Sequence, residues 1–277
     1  MRLMVMLLAA ASLAGCDVNA QPDQPAVEVK PAALTYDGAG AAVGAAMLGH
    51  GERMSAVLSC TGCHGANLQG KNVTPDEPGT GDMYAPNLTL LMASYSDAEL
   101  DRAVRGGVAK DGRHLWFMPS ETLQFLSDAD FAALVAHLRT LKPAGKPQPP
   151  IRRGPQYLAD VAKGLYTDAP GMAQRYRAAP PIELGPSHAL GRYIAMTTCT
   201  ACHNNALQGF GGFTPNLDIA GAYSAAELTT LLTTGEGKVK KDLGLMSEVA
   251  EHSLSRMTPR ERDAVIAYIK ARVDRPQ

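Results

Sequence analysis

The chain has 277 residues and a formal net charge of −1 at pH 7, with no basic stripe, which argues against nucleic acid as a partner. The length suffices for two domains of small size, and aromatic residues make up only 5%. Five cysteines are present, and their spacing carries most of the functional information.

Met1 to Gly15 reads as an export signal: Arg2, then an apolar run from Leu3 to Leu8, then small residues. The run is too short to cross a bilayer. The signal ends at Leu13-Ala14-Gly15-Cys16, which resembles the lipobox of bacterial lipoproteins. On that reading residues 1–15 are removed, and Cys16 carries diacylglycerol and becomes an N-terminal membrane anchor. The other reading is ordinary cleavage near Asn19-Ala20, which leaves no anchor. Cys16 is the odd cysteine, because the other four belong to the motifs below. Residues 16–42, rich in Pro, Ala and Gly with no helical period, are expected to form a flexible tether.

Two matching stretches follow: Cys60-Thr61-Gly62-Cys63-His64 and Cys199-Thr200-Ala201-Cys202-His203. C-x-x-C-H is the attachment motif of c-type haem, in which two thiols bond to the porphyrin and the adjacent His supplies the proximal nitrogen to iron. A four-cysteine zinc site has its pairs about 15–20 residues apart, far closer than Cys60 and Cys199. A redox C-x-x-C needs no following His. The expected cofactors are therefore two covalently bound haem c groups. A large flat apolar cofactor also accounts for the low aromatic content.

Aligning the motifs exposes a duplication. Asn67-Leu68-Gln69-Gly70 answers Ala206-Leu207-Gln208-Gly209, and Pro86-Asn87-Leu88 answers Pro215-Asn216-Leu217. Tyr95 to Leu100 answers Tyr223 to Leu228, and within these Ser96/Glu99 and Ser224/Glu227 have capping-box spacing. Each half closes on an amphipathic helix: Phe131, Leu134, Val135, Leu138 and Leu141 in the first; Val265, Tyr268, Ile269 and Val273 in the second. Thr258-Pro259-Arg260-Glu261 combines a cap, Pro at the first helical position and Glu at the third; Ser127 to Asp130 is a weaker version. The expected fold is all-α, with domains at 43–143 and 186–277. Residues 144–185, basic at Arg152, Arg153, Arg175 and Arg177, are expected to be a solvated linker with a short helix near Gln156 to Gly164.

Each half resembles a class I cytochrome c domain. The pair is similar to the multihaem cytochrome subunits of membrane-associated alcohol and related dehydrogenases, a likeness carried mainly by Phe117 to Pro143 and Gly244 to Arg272. The resemblance implies that the carbonyls of Pro86 and Pro215 accept the second ring N–H of His64 and His203, which fixes the tautomer. Pro86 lies further from its His than Pro215 does, so the first half carries an insertion around Val73 to Tyr84. The resemblance also places the sixth iron ligand in the loop before the closing helix. Met118, followed by Pro119, matches the family's M-P pattern, with His114, Met83 and Met92 as alternatives. In the second half Met246 aligns with Met118 but no Pro follows it, and His252 and Met257 remain in the same stretch. His50, His137 and His188 are weak candidates. Lys238, Lys240 and Lys241 form a cluster that could steer an acidic partner, although such a run is more often a solvated loop.

These features lead to the expectation of a periplasmic, lipid-anchored dihaem electron carrier with no catalytic residues. Its partners would be a dehydrogenase subunit and a downstream cytochrome or oxidase. The alternative is a dihaem enzyme of peroxidase or thiosulfate-oxidising type, which needs one open or weakly ligated iron.

Overall fold

The computed structural model describes residues 34–41 and 43–275. It is predominantly helical, and its two halves repeat one plan: a leading helix, a loop, a middle helix, a second loop and a closing helix. Two ribbons of paired two-residue strands are the only named strands among the described residues.

In the first half the leading helix Gly44–Val57 crosses the closing helix Asp128–Arg139. The crossing is close enough that only glycine fits. A Cβ on Gly51 would lie 1.9 Å from the carbonyl oxygen of Ala133. Gly191 stands at the same place in the second half, where a Cβ would lie 2.0 Å from the Ala264 carbonyl oxygen. With backbones this near, the flanking side chains Met54, Phe131, Leu134, Val135 and Leu138 close the core around the contact. The second half repeats this with Ile194, Val265, Tyr268 and Ile269.

Both closing helices start as their sequences imply. Thr258 and Glu261 form a full capping box on Pro259–Val273, and Ser127 caps Asp128–Arg139 by accepting from the Asp130 amide. Ser96/Glu99 and Ser224/Glu227 likewise start the middle helices Asp97–Val104 and Ala225–Thr234. The halves differ just before the cysteine motifs. Ser59, with φ +58°, interrupts the first leading helix ahead of Cys60–His64. The second passes without a break through a π-helical turn, Ala195–Cys199, into Thr200–His203.

Two segments expected to be loose, residues 34–41 at the end of the tether and the connection at 144–185, pack against the rest of the chain. The tether was expected to run to residue 42, yet Tyr36 is 1% exposed; its amide donates to Asp130 and its hydroxyl pairs with Thr197. One aromatic anchor leaves no periodicity, so a search for repeating apolar spacing passes over it. The connection at 144–185 is likewise no solvated spacer. Arg152–Arg153 pairs with Gly81–Asp82 of the insertion, and helices Pro155–Ala162 and Ala169–Ala178 bury Tyr157, Ala169, Ala173 and Tyr176. The Ala173 carbonyl accepts from Gln124 at 2.8 Å, which fastens the second of these helices beside Ser120–Leu123. The Pro and Gly residues at both ends of the connection obscured this apolar face.

Candidate functional site

Helix Cys60–His64 buries its final residue: His64 is 6% exposed, and His203 at the end of Thr200–His203 is 7% exposed. His64 Nδ1 lies 2.8 Å from the Pro86 carbonyl oxygen, and His203 Nδ1 lies 2.9 Å from that of Pro215. A carbonyl can only accept, so each Nδ1 carries the proton and each Nε2 keeps a free lone pair. Burial pushes both imidazoles below their ordinary pKa, opposed in part by the bond to the proline carbonyl. Each ring is a neutral donor of fixed tautomer, as a metal-ligating histidine requires.

The loops that present these carbonyls are closed by one device used twice. Gly70 donates its amide to the His64 carbonyl at 2.7 Å, and Gly209 does the same to His203 at 2.8 Å. Both have φ +78°, and both lie against the proline loop. A Cβ would meet Ala85 O at 2.4 Å from Gly70 and Thr214 O at 2.2 Å from Gly209. Two residues earlier, Leu68 and Leu207 also have positive φ, and their carbonyls accept from Leu88 and Leu217. A left-handed leucine costs about 1–2 kcal/mol. Near-complete burial of both side chains offsets that cost. Leu-Gln-Gly thus latches the proline loop to the histidine. The sequence displayed it only as a repeated string; the repeated glycine was the signal available.

All four motif cysteines are half-buried, and none is in a disulfide. Burial pushes Cys60 up to about 12, with Cys63 adding to the shift, and Cys199 up to about 11. Cys202 is raised by burial and then by Cys63 and Glu121, both from the first half. Among the described residues no group of three or more His, Cys, Asp or Glu side chains could hold a metal ion directly.

Met118 and Met246 occupy matched places. Met118 lies just ahead of Ser120–Leu123, and Met246 lies in the first turn of Leu245–His252. Both are half-buried and pack on the hydrophobic core together with Cys60 and Cys199. Ser120, fully buried two residues from Met118, has a hydroxyl with no partner among the described residues.

The other candidates differ in burial and in partners. Met83, Met92 and Met257 are buried at 1%, 5% and 4% exposure. His114 is exposed and bonds Asp168 at 2.9 Å; His252 is exposed in the last turn of its helix. His50 is buried against Asp130, and His137 packs at the Gly51 crossing. In the lysine cluster, Lys238 pairs with Glu227 and Lys241 with Glu236, which leaves little free charge for steering.

Paired thiols, a neutral buried imidazole and apolar surroundings are the donor set that covalent haem needs, and both halves have it. The family profile described as cytochrome c matches residues 50–142 and again 188–272. The chain belongs to the cytochrome c family. Its two motifs, Cys60/Cys63/His64 and Cys199/Cys202/His203, make it a carrier of two covalently bound c-type haems. Among curated proteins it is 24% identical to the fructose dehydrogenase cytochrome subunit of Gluconobacter japonicus, over 94% of this chain and 57% of that protein. It is 28% identical to the gluconate 2-dehydrogenase cytochrome c subunit of Pantoea cypripedii, over 82% of this chain and 59% of that one. The cytochrome c subunit of the quinone-dependent alcohol dehydrogenase of Gluconacetobacter polyoxogenes is 28% identical over 64% of this chain and 39% of its own length. The chain therefore spans less than two thirds of each of these relatives. As a cytochrome c with these relatives, it has the general role of an electron carrier.

The expected export signal at 1–15 and the expected lipidation site Cys16 lie outside the described residues. Among the described residues no helix is long and apolar enough to cross a membrane.

Proposed function

We propose that this cytochrome accepts single electrons from a dehydrogenase and passes them to a downstream cytochrome or oxidase, from the periplasmic face of a membrane to which Cys16 anchors it. Bound haem supplies reversible one-electron chemistry at iron. The chain's own residues do the rest. Cys60, Cys63, Cys199 and Cys202 hold the two groups. His64 and His203 supply Nε2, with Pro86 and Pro215 fixing the rings. Met118 and Met246 supply the sixth, thioether ligand, a soft neutral donor that raises the potential.

The observation that carries this reading is the equivalence of the two halves: each pairs a pinned neutral histidine with a half-buried methionine at the start of the helix before the closing helix. Iron with six ligands filled has no position for substrate, which favours transfer over turnover. The similarity to dehydrogenase cytochrome subunits supports the choice of partner class.

The test uses the full chain matured in a bacterial host. Expected results are membrane-bound protein that Cys16→Ser releases to the periplasm, together with reversible one-electron reduction and reoxidation without peroxide turnover. Catalytic peroxide consumption would replace this reading with the enzyme alternative.

A further inference from the structure

The two halves are joined through a pair of buried carboxylates at equivalent positions. Asp130 and Glu261 are each the third residue of a closing helix, and each is 0% exposed. Within its own half Asp130 bonds His50 at 2.8 Å and the Ser127 hydroxyl at 2.7 Å. From the other half Tyr193 donates its hydroxyl to Asp130 at 2.8 Å. Glu261 mirrors this arrangement. It accepts the Thr258 amide at 2.8 Å within its own half and both terminal nitrogens of Arg53, at 2.7 and 3.0 Å, from the other. Each leading helix thus reaches across to the acid that starts the opposite closing helix.

The stretch ahead of the first half completes the arrangement. Tyr36 donates its amide to Asp130 at 3.1 Å, and the next residue, Asp37, donates its amide to Glu261 at 2.7 Å. Two consecutive N–H groups therefore bridge the two buried acids. The Tyr36 hydroxyl pairs with Thr197 at 2.7 Å, and the Asp37 carboxylate accepts from Thr258 and Arg260. Among these contacts, His50, Arg53, Tyr193 and Thr197 lie on the helices that lead into the two motifs. Nearer the motifs, Ser253 bonds Ser59 at 3.2 Å, and Tyr176 donates to the Thr200 carbonyl at 3.3 Å. Tyr36 and Asp37 both lie outside the two stretches that match the family.

We propose that Tyr36, Asp37, Asp130 and Glu261 form a clasp that sets the relation between the two haem-attachment helices, and that they are positioning residues for electron exchange between the haems. In that exchange one iron is oxidised as the other is reduced, with no external reagent. The proposal rests on the carrier reading above. Buried carboxylates suit this role because groups from both halves bond each of them, so partial docking strips hydrogen bonds from a buried polar group.

The test is circular dichroism in the haem Soret region of the full-length holoprotein. Two haems held in a fixed, close relation give a paired positive and negative band whose amplitude depends on their mutual orientation. Tyr36→Ala combined with Asp37→Ala is expected to reduce that amplitude at least about twofold. Haem content and the ferric absorption of each site should stay unchanged. Tyr193→Phe, which removes the hydroxyl that donates to Asp130 and accepts from the Ser127 amide, is the milder variant, and a smaller loss in the same direction is expected. Should the double variant fail to mature, Tyr193→Phe and Tyr36→Phe decide. An undiminished couplet in the variants that mature, or no couplet in the unmodified protein, would overturn the clasp. A protein that keeps its couplet but turns over peroxide would contradict the carrier reading and leave the clasp standing.

Discussion

His203 donates its Nδ1–H to the carbonyl oxygen of Pro215 at 2.9 Å, and Gly209 is the residue that lets the loop bearing that carbonyl come so near. Alanine at 209 would take on left-handed strain of about 1–2 kcal/mol and a backbone collision besides. Gly209→Ala is expected to cut covalent haem from two per chain to one, read from the mass of the denatured protein. Gly211→Ala, where a Cβ meets nothing within 4 Å, should retain both.

The methionine assignments are separable. Met118→Ala and Met246→Ala should each abolish one of two thioether-ligated haems, seen as half the far-red charge-transfer band of the ferric protein. Replacement by His should keep both irons low-spin and lower one potential, because an axial thioether favours reduced iron. A band left at full strength in Met246→Ala would move the second ligand to another residue.

Asp37 gives the clasp a pH dependence. Burial raises its pKa, but hydrogen bonds from Thr258 and Arg260 and the charges of Arg260 and Arg53 outweigh that and hold it below the ordinary value of 3.8. A carboxylate lowered by folding contributes stability that is present above its unfolded pKa and lost as pH falls through the folded one. Thermal stability of the holoprotein should therefore drop on acidification below about pH 4, with Asp37 supplying part of the slope. Asp37→Asn should be less stable at neutral pH and should fall less steeply in acid, as followed by melting temperature against pH.

Arg272 is a buried support of the second site. Its guanidinium, on a side chain 1% exposed, bonds Asp218 at 2.6 Å and the Ala206 carbonyl at 3.0 Å, beside the Leu207 that latches the proline loop. Arg272→Met keeps much of the volume and orphans the carbonyl, so a loss of about 1–3 kcal/mol is expected in denaturant unfolding. The first half should hold its haem in this variant.

Local chemistry was the legible part. The cysteine motifs, the capping serines and threonine, and the apolar spacing of the closing helices each act within a few residues, and all appear in the sequence as patterns. The Pro86 and Pro215 carbonyls followed from family resemblance. What stayed hidden depends on distant partners. Gly51 and Gly191 read as ordinary helix glycines until another helix's backbone lies against them. Tyr36 reads as part of a tether because its partners, Asp130 and Thr197, lie far along the chain. The connection at 144–185 hides its buried face, Tyr157, Ala169, Ala173 and Tyr176, between proline-rich ends.

Ligand access to the reduced irons tests the central claim most directly. On the proposed ligation, His64 and Met118 on one haem and His203 and Met246 on the other, neither iron would offer an open position. Titrating the fully reduced protein with carbon monoxide at neutral pH should leave both haem spectra unchanged. Stoichiometric binding at one haem would contradict the account, since it would mean an iron open to small ligands and a site built for chemistry rather than for passing electrons.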